Sequence, residues 1–425
     1  MRNITYKYYS FSTLIILFVF FNTIFYREFS YISIIQNVYI TELFMALTLF
    51  VVVAKLGVGS FAINNSLTIK LLFAFLIWGS FAHIFDNGST VLFRLREYAS
   101  VYYSLFMFFV LTLLTNESKS RMLLNAILIA AGCSILLIFV RYYLGLGGMT
   151  TTDGVYRYGN YEFVGIVILF SYLFSGMLLG VKRNNILLLI GILIILFVVN
   201  FLIAHRSASL ALILSSVIVM WLLGRKYRTL NRGILIVLSL LLGTTLLVLL
   251  SPDFAEGALS RITGIFDSAI MEDKNASWRL EVWMHALSHM DALDYLIGVG
   301  WGYYIKPLYF SGRDYSVDGF IGIHNSILYY FLHIGFIGVT IFLSLVLTVY
   351  RRALRAINIT NSIWRKQTLT SLLAGNAGIL FFALFNVVLE GPYMSVLFWT
   401  SLGLLFNISR HVVFEQRQIL AGNLR

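Results

Sequence analysis

ILLLIGILIILFVVNFLIAHRSASLALILSSVIVMWLLGRK, residues 186–226, holds two apolar runs back to back, Ile186–Ala204 and Ala208–Leu223. Each is close to the roughly 20 residues that carry a helix through the ~30 Å hydrocarbon core of a bilayer. A surface helix of a soluble protein would show a polar stripe on one side. These runs are apolar all round, so their solvent is lipid. Only His205, Arg206 and Ser207 stand between them, which is room for a turn at the membrane surface and nothing more.

The pattern repeats outward in both directions. Similar stretches occupy Tyr9–Phe25, Val38–Ala54, Ile69–Phe85, Tyr98–Leu114, Met122–Leu146 and Tyr161–Val181 on one side. Gly233–Leu250, Asn325–Tyr350, Leu369–Val388 and Met394–Ser409 follow on the other. The expected fold is therefore an all-α polytopic membrane protein with about 12 transmembrane helices. Composition agrees: 59% of residues are hydrophobic, mean hydropathy is +0.86, and charged residues are 12% against about 25% in soluble domains. Arg2 and Lys7 before the first run resemble a signal peptide, but no small-x-small cleavage site follows, so an uncleaved first helix is expected.

Net charge is +12, which on a soluble chain would suggest nucleic acid. Its distribution says otherwise. With twelve spans, 20 of the 31 basic residues but only Glu117 and Glu415 of the 19 acidic ones fall on the face of the two termini, a net of +18. The remaining 11 basic and 17 acidic residues leave −6 on the other face. The positive-inside rule then puts both termini in the cytoplasm and calls for no nucleic-acid partner. The single Cys133 lies within a span and excludes an intramolecular disulfide.

One connection is long. It divides the chain into residues 1–250 (helices 1–9), an outward loop over 251–323, and residues 324–425 (helices 10–12 and a tail). Loops of that length are usually functional. Within it, Ser277 is placed to cap an amphipathic helix over residues 278–287, with Leu280, Trp283, Ala286, Leu287 and Met290 on its apolar face and Arg279 and Glu281 off it. Leu296–Gly302 then reads as a tight, glycine-rich turn.

Three outward-facing residues carry chemistry. Arg206 opens the eighth span, and a guanidinium there either snorkels to headgroups or grips phosphate oxygens in a bidentate fork. Arg279 is either a solvated helix charge or a second anion ligand. His324, before Asn325 at the entrance of the tenth span, is either an interfacial polar residue or a proton acceptor suited to neutral pH. Asn325 can cap that helix. His285 and His289 lack a His-Glu-x-x-His pattern, and no metal site is expected.

Taken in order, these pieces resemble the O-antigen ligase and polymerase family. The resemblance rests on His205-Arg206-Ser207-Ala208 opening a helix and on Arg279-Leu280-Glu281-Val282-Trp283 in the large loop. Gly298-Val299-Gly300 follows, then His324-Asn325-Ser326 opening a helix that runs to Gly335-Phe336-Ile337-Gly338. Upstream, Arg157-Tyr158-Gly159-Asn160 is similar to an Arg–Gly–Asn stretch of the family. The resemblance covers roughly residues 155–345. It implies a GT-C-like glycosyltransferase of the bacterial inner membrane, working at the periplasmic face without metal or cofactor. Donor and acceptor would be undecaprenyl-diphosphate-linked glycans, with membrane lipid and a chain-length regulator protein as further candidate partners. Arg206, Arg279 and His324 would then be catalytic, and Arg157, His205 and Asn325 substrate-binding. A polymerase of repeat units is favoured over a ligase to lipid A-core, because Ile321-Gly322-Ile323 precedes His324 where ligases often carry a second His or Pro. A flippase for lipid-linked units is the non-enzyme alternative, and it would place charges inside the spans.

Overall fold

A computed structural model describes residues 2–35, 38–56, 66–84, 89–146, 149–150, 156–159, 161–180, 185–203, 205–227, 274–303, 309–310, 313–314 and 323–422. The expected span Gly233–Leu250 and the first part of the outward loop, 251–273, lie outside the described residues. What is described is helical almost throughout. In chain order the helices are α1 (Arg2–Phe25), α2 (Arg27–Ser30), α3 (Ile40–Leu56), α4 (Leu67–Phe81), α5 (Val91–Tyr102), α6 (Leu105–Leu113), α7 (Glu117–Leu144), α8 (Phe163–Leu179), α9 (Asn185–Phe197) and α10 (Arg206–Tyr227). Then come α11 (Lys274–Ser288), α12 (Ala292–Ile297), α13 (Ser326–Ile359), α14 (Ile363–Ala383) and α15 (Pro392–Gly422). Three two-stranded hairpins punctuate the connections; one pairs β1 (Met149–Thr150) with β2 (Tyr156–Arg157).

Among the described residues, four helices are long and apolar enough to cross a membrane: those over Glu117–Leu144, Arg206–Gly224, Ser326–Ile359 and Pro392–Ala421. Five shorter apolar helices accompany them. The stretch read as one span over Tyr98–Leu114 is two helices, α5 and α6, with a turn at Tyr103-Ser104. Its first half starts early because Thr90 caps α5 by accepting a hydrogen bond from the Phe93 N–H. The run Ile186–Ala204 is also divided: α9 passes into a wider π-type turn over Val198–Ile203.

An aromatic knot holds the centre. Phe75 of α4, Tyr330 and Phe342 of α13 and Trp399 of α15 pack with ring centroids 5.3–5.9 Å apart. All four are fully buried, and aromatic pairs of this kind contribute beyond their area, by about 0.5–1.5 kcal/mol each.

The bundle has two polar ends. At one, Arg365 pairs with Glu117 at 2.7 Å and with Glu415, joining the starts of α7 and α14 to the tail of α15. At the other, Arg141 pairs with Glu162 at 2.8 Å and the Tyr26 hydroxyl donates to the Glu162 carbonyl. This second end gathers the C-terminus of α7 and the N-terminus of α8, and the His324 turn belongs to it through Ser326 and Glu390.

The glycine-rich turn settles how α13 begins. α13 is broken at Gly335 (φ 64, ψ −172), so the carbonyls of the preceding turn lose their helical donors. Replacement donors come from elsewhere: Val299 N–H to Leu332 O at 2.8 Å, Gly300 N–H to His333 O at 3.2 Å, and the Trp78 indole to Ile334 O at 2.9 Å. Gly298, Gly300 and Gly302 all have φ above +80°, where side chains are strained. A Cβ on Gly298 would lie 2.3 Å from His333 O, and one on Gly335 2.4 Å from Leu296 O. Trp301 wedges beneath, fully buried, donating to Gly79 O at 2.7 Å and stacking on His333. Glu97, itself buried, accepts from the Gly302 N–H. Thus α4, α5 and the turn after α12 clamp the first segment of α13, whose N-terminus carries His324.

Candidate active site

α11 lies against this clamp. Val282, Ala286 and Met290 are buried with Val299, Ile323 and Leu332, and Trp283 and Leu287 flank them. The Trp283 indole donates to Ile323 O at 2.7 Å, tying α11 to the residue before His324. The expected face needs correction. The helix starts at Lys274, so Ser277 lies inside it rather than capping it. Val282 is at the centre of the packed face, and Leu280 is outside the cluster. Arg279 precedes Val282, Trp283 and Ala286 by three, four and seven residues, so it shares their face. Far from lying off the docked surface, Arg279 is carried into it.

His324 has φ +50, a left-handed conformation uncommon outside glycine and typical of strained functional positions. Asn325 explains the turn. Its Oδ1 accepts from Ile327 N–H at 3.1 Å and Leu328 N–H at 3.0 Å and so caps α13, as the sequence suggested. The cap uses its carbonyl oxygen, which leaves the amide N–H groups as the part of Asn325 able to meet a ligand.

His205 sits between the π-type turn and α10, with its ring edge-on to Phe382. β2 brings Arg157 against it: the Arg157 guanidinium donates to His205 Nε2 at 3.3 Å, and Tyr158 N–H binds Leu202 O at 2.9 Å to pin the hairpin. Asn160 is outside the described residues. Burial drives the His205 pKa down to about 3, helped by the fields of Arg157, Arg279 and His324. Burial, then Arg279, holds His324 at about 4. Those fields tie four side chains from four separate stretches of chain into one cluster. Arg157, His205, Arg279 and His324 are each half-buried, so the cluster, called the crevice below, is reachable from outside rather than sealed in the core.

Arg206 is placed differently. It is exposed on the first turn of α10, and the neighbouring His205 occupies the position among Arg157, Arg279 and His324. The arginines whose fields reach His205 are Arg157 and Arg279.

A residue outside the sequence-based set completes the floor. Ser326 donates to Glu390 Oε2 at 2.6 Å and accepts from Val388 and Leu389 N–H. Burial raises Glu390 to about 7, against the hydrogen bonds of Ser326 and of the backbone N–H groups of residues 388–390. Asn386 donates to Ser207 at 2.9 Å, linking this floor to the first turn of α10. In the sequence, Glu390 is merely an acid before Gly391-Pro392, with no motif around it. The signal available was its position at the outer end of a span in an otherwise charge-poor stretch. His285 and His289 are neighbours on the exposed side of α11, rings 4.3 Å apart, and among the described residues no group of three or more His, Cys, Asp or Glu is arranged to hold a metal ion.

Residues 191–343 match the family model described as O-antigen ligase. The match spans 153 of the 425 residues, and this segment is what the chain shares with that family. The matched range includes His205, Arg206, Arg279 and His324, and Arg157 reaches the crevice from outside it. No curated protein matches the chain.

Proposed function

We propose that the chain is a glycosyltransferase that polymerises undecaprenyl-diphosphate-linked oligosaccharide repeat units at the periplasmic face of the inner membrane, with both termini cytoplasmic and a GT-C-like mechanism. The observation that carries this reading is the gathering of Arg157, Arg279 and His324 around His205, in a chain whose residues 191–343 match the O-antigen ligase family model. A guanidinium pair matches the oxygens of a diphosphate and stabilises the negative charge that grows on it as the glycosidic bond breaks. In the reaction the acceptor hydroxyl oxygen bonds to the anomeric carbon. The carbon–oxygen bond to the diphosphate breaks, and the lipid diphosphate leaves with the electron pair. The hydroxyl proton passes to His324.

The electrostatics couple binding to this proton transfer. Before a diphosphate binds, burial with Arg157 and Arg279 at His205, and burial with Arg279 at His324, keep both imidazoles neutral, so His324 can take up a proton. Its basicity is then too low for efficient transfer near pH 7. A bound diphosphate offsets Arg157 and Arg279, which raises the His324 pKa when the proton must move. Arg206, exposed beside the crevice, steers the diphosphate toward it. The amide of Asn325 contacts the sugar or phosphate, and His205, accepting from Arg157 through Nε2, holds that guanidinium toward it.

The family description itself favours a second reading, transfer of finished polymer to lipid A-core. Deleting the gene and separating surface glycans on a gel tests both. Loss of a polymerase leaves core bearing a single repeat; loss of a ligase leaves bare core, with polymer stranded on its carrier. Unchanged glycans would overturn both readings. Topology is tested separately by labelling a cysteine at exposed Ser288, in a chain lacking Cys133, with an impermeant thiol reagent. Labelling before inner-membrane lysis is the expected result, and labelling only after lysis would put the crevice on the wrong side.

A further inference from the structure

The end of the bundle opposite the His324 crevice holds a second arginine cluster, built around a cavity of about 250 Å³. Its walls are the start of α4 (Ser66, Leu67, Thr68), the far half of α13 (Thr348, Arg351, Arg352, Arg355) and the tail of α15 (Val413, Arg417). His324 precedes the first turn of α13 and Arg352 lies near its far end, and the stretch Ser326–Ile359 is long and apolar enough to cross a membrane, so the two clusters serve opposite leaflets.

We propose that this cavity binds the phosphate of an anionic phospholipid. Four guanidiniums line it and no carboxylate does; among the described residues none of the four forms an ion pair. Arg352 is held in place by Phe406, whose ring centroid is 4.6 Å from its guanidinium carbon, and its Nε is buried with no hydrogen-bond partner among the described residues. Arg355, Arg417 and Arg410 crowd the same guanidinium. Like charges gathered this closely repel, and an anion between them relieves the repulsion. The start of α4 aims at the same space. Ser66 is its N-cap residue but makes no cap hydrogen bond, and its Oγ is buried without a partner among the described residues. The first N–H groups of a helix have no intrahelical acceptor and favour an anion.

The surroundings select a lipid over a soluble phosphate. On α13, Leu343, Leu347, Arg351 and Arg355 recur every four residues on one exposed stripe. Leu343 and Leu347 are 41% and 51% exposed, and Leu67 at the rim 60%. An acyl chain lying on Leu347 and Leu343 delivers its phosphodiester to Arg351. Basic pockets between spans are known to take such headgroups.

The test uses the full chain purified in detergent, with native mass spectrometry and thermal shift as readouts. The probes are phosphatidylglycerol, phosphatidylcholine and inorganic phosphate. Phosphatidylglycerol should be retained and stabilise the chain, phosphatidylcholine should not, and inorganic phosphate should displace the lipid only at high concentration. Arg352→Gln should weaken retention about fivefold, the effect of removing one near-surface cation from an anionic lipid site. Arg351→Gln and Arg417→Gln, on exposed residues that do not support packing, should each do the same with unchanged thermal stability in lipid-free detergent. Equal retention of phosphatidylcholine, or phosphatidylglycerol retention unchanged in all three variants, would overturn the proposal. Stabilisation by inorganic phosphate with nothing added by phosphatidylglycerol would overturn the lipid assignment in favour of a soluble anion.

Discussion

Two arginine clusters face opposite ends of α13, and their difference lies in what stands beside the guanidiniums. At the His324 end, Arg157 and Arg279 share a crevice with His205, His324 and, beneath Ser326, Glu390. At the other end, Arg351, Arg352, Arg355 and Arg417 are accompanied by Ser66, Thr68, Thr348, Leu67 and Val413. In the two proposals both hold a phosphate. Only the first has groups with pKa values between about 3 and 7 around it. On that reading phosphate recognition is common to the two ends, and chemistry depends on the proton carriers at one.

The comparison breaks most readily at His324. If proton transfer separates the two ends, His324→Gln should lower turnover by roughly 10²–10⁴-fold while donor binding survives. Turnover and donor binding measured separately on purified protein decide this, and a variant with full turnover would reduce the crevice to a binding site like its counterpart. Next in size is Arg279→Lys. It keeps the charge but loses the fork, and a transition-state contact of that kind is worth about 10²–10³-fold in rate. A loss confined to KM would mean that Arg279 binds the ground state and the transition state equally.

A smaller effect distinguishes the ends by pH. Glu390 has its pKa raised from the ordinary carboxyl value to about 7. The folded chain thus keeps a proton that the unfolded chain releases above about 4.5. That contribution to stability is present at low pH and lost as pH rises through 7. His205 acts oppositely: its pKa is about 3 when folded and near 6.5 when free, so stability falls as pH drops through that window. His324, at about 4 when folded, acts with His205, so Glu390 offsets part of their rise between about pH 4.5 and 6.5. Glu390→Gln should therefore steepen the rise in melting temperature over that window, as followed by thermal shift from pH 4 to 8, and Arg352→Gln at the other end should leave it unchanged.

The apolar runs made the helices legible, because lipid demands them and little else produces a run such as residues 186–204. The start of α13 was legible too, since Asn325 is a good cap on sequence grounds alone. What the sequence did not yield was the partner of each charge. Arg279 was assigned to the wrong face because Leu280 looked like core, whereas Val282 is the residue that packs. Arg157 and His205 are 48 positions apart and meet only because a hairpin folds back onto a π-type turn, which no local pattern announces. Glu390 emerged from the loop between α14 and α15, where its burial depends on Ser326 in another helix. The glycine triplet of 298, 300 and 302 was recognisable as a turn, but its purpose, to replace donors lost at Gly335, required seeing both strands of contact.

The smallest expected effect is at Arg206, and it sharpens the comparison by asking whether adjacency to the crevice is enough. Arg206 opens α10 next to His205 and was the first residue the sequence marked for the diphosphate, yet its side chain is exposed. An exposed cation acts through a high-dielectric medium and is screened by salt, so its interactions amount to about 0–1 kcal/mol. Arg206→Lys keeps that charge in the same place and should cost at most about fivefold in turnover, with the residual loss vanishing at high ionic strength. Arg279→Lys, lost from a partly desolvated face, should be insensitive to salt. Measuring both variants across a salt series separates steering from direct contact. A salt-independent loss at Arg206 as large as that at Arg279 would show that Arg206 turns into the crevice when donor is bound, and three arginines rather than two would then grip the diphosphate.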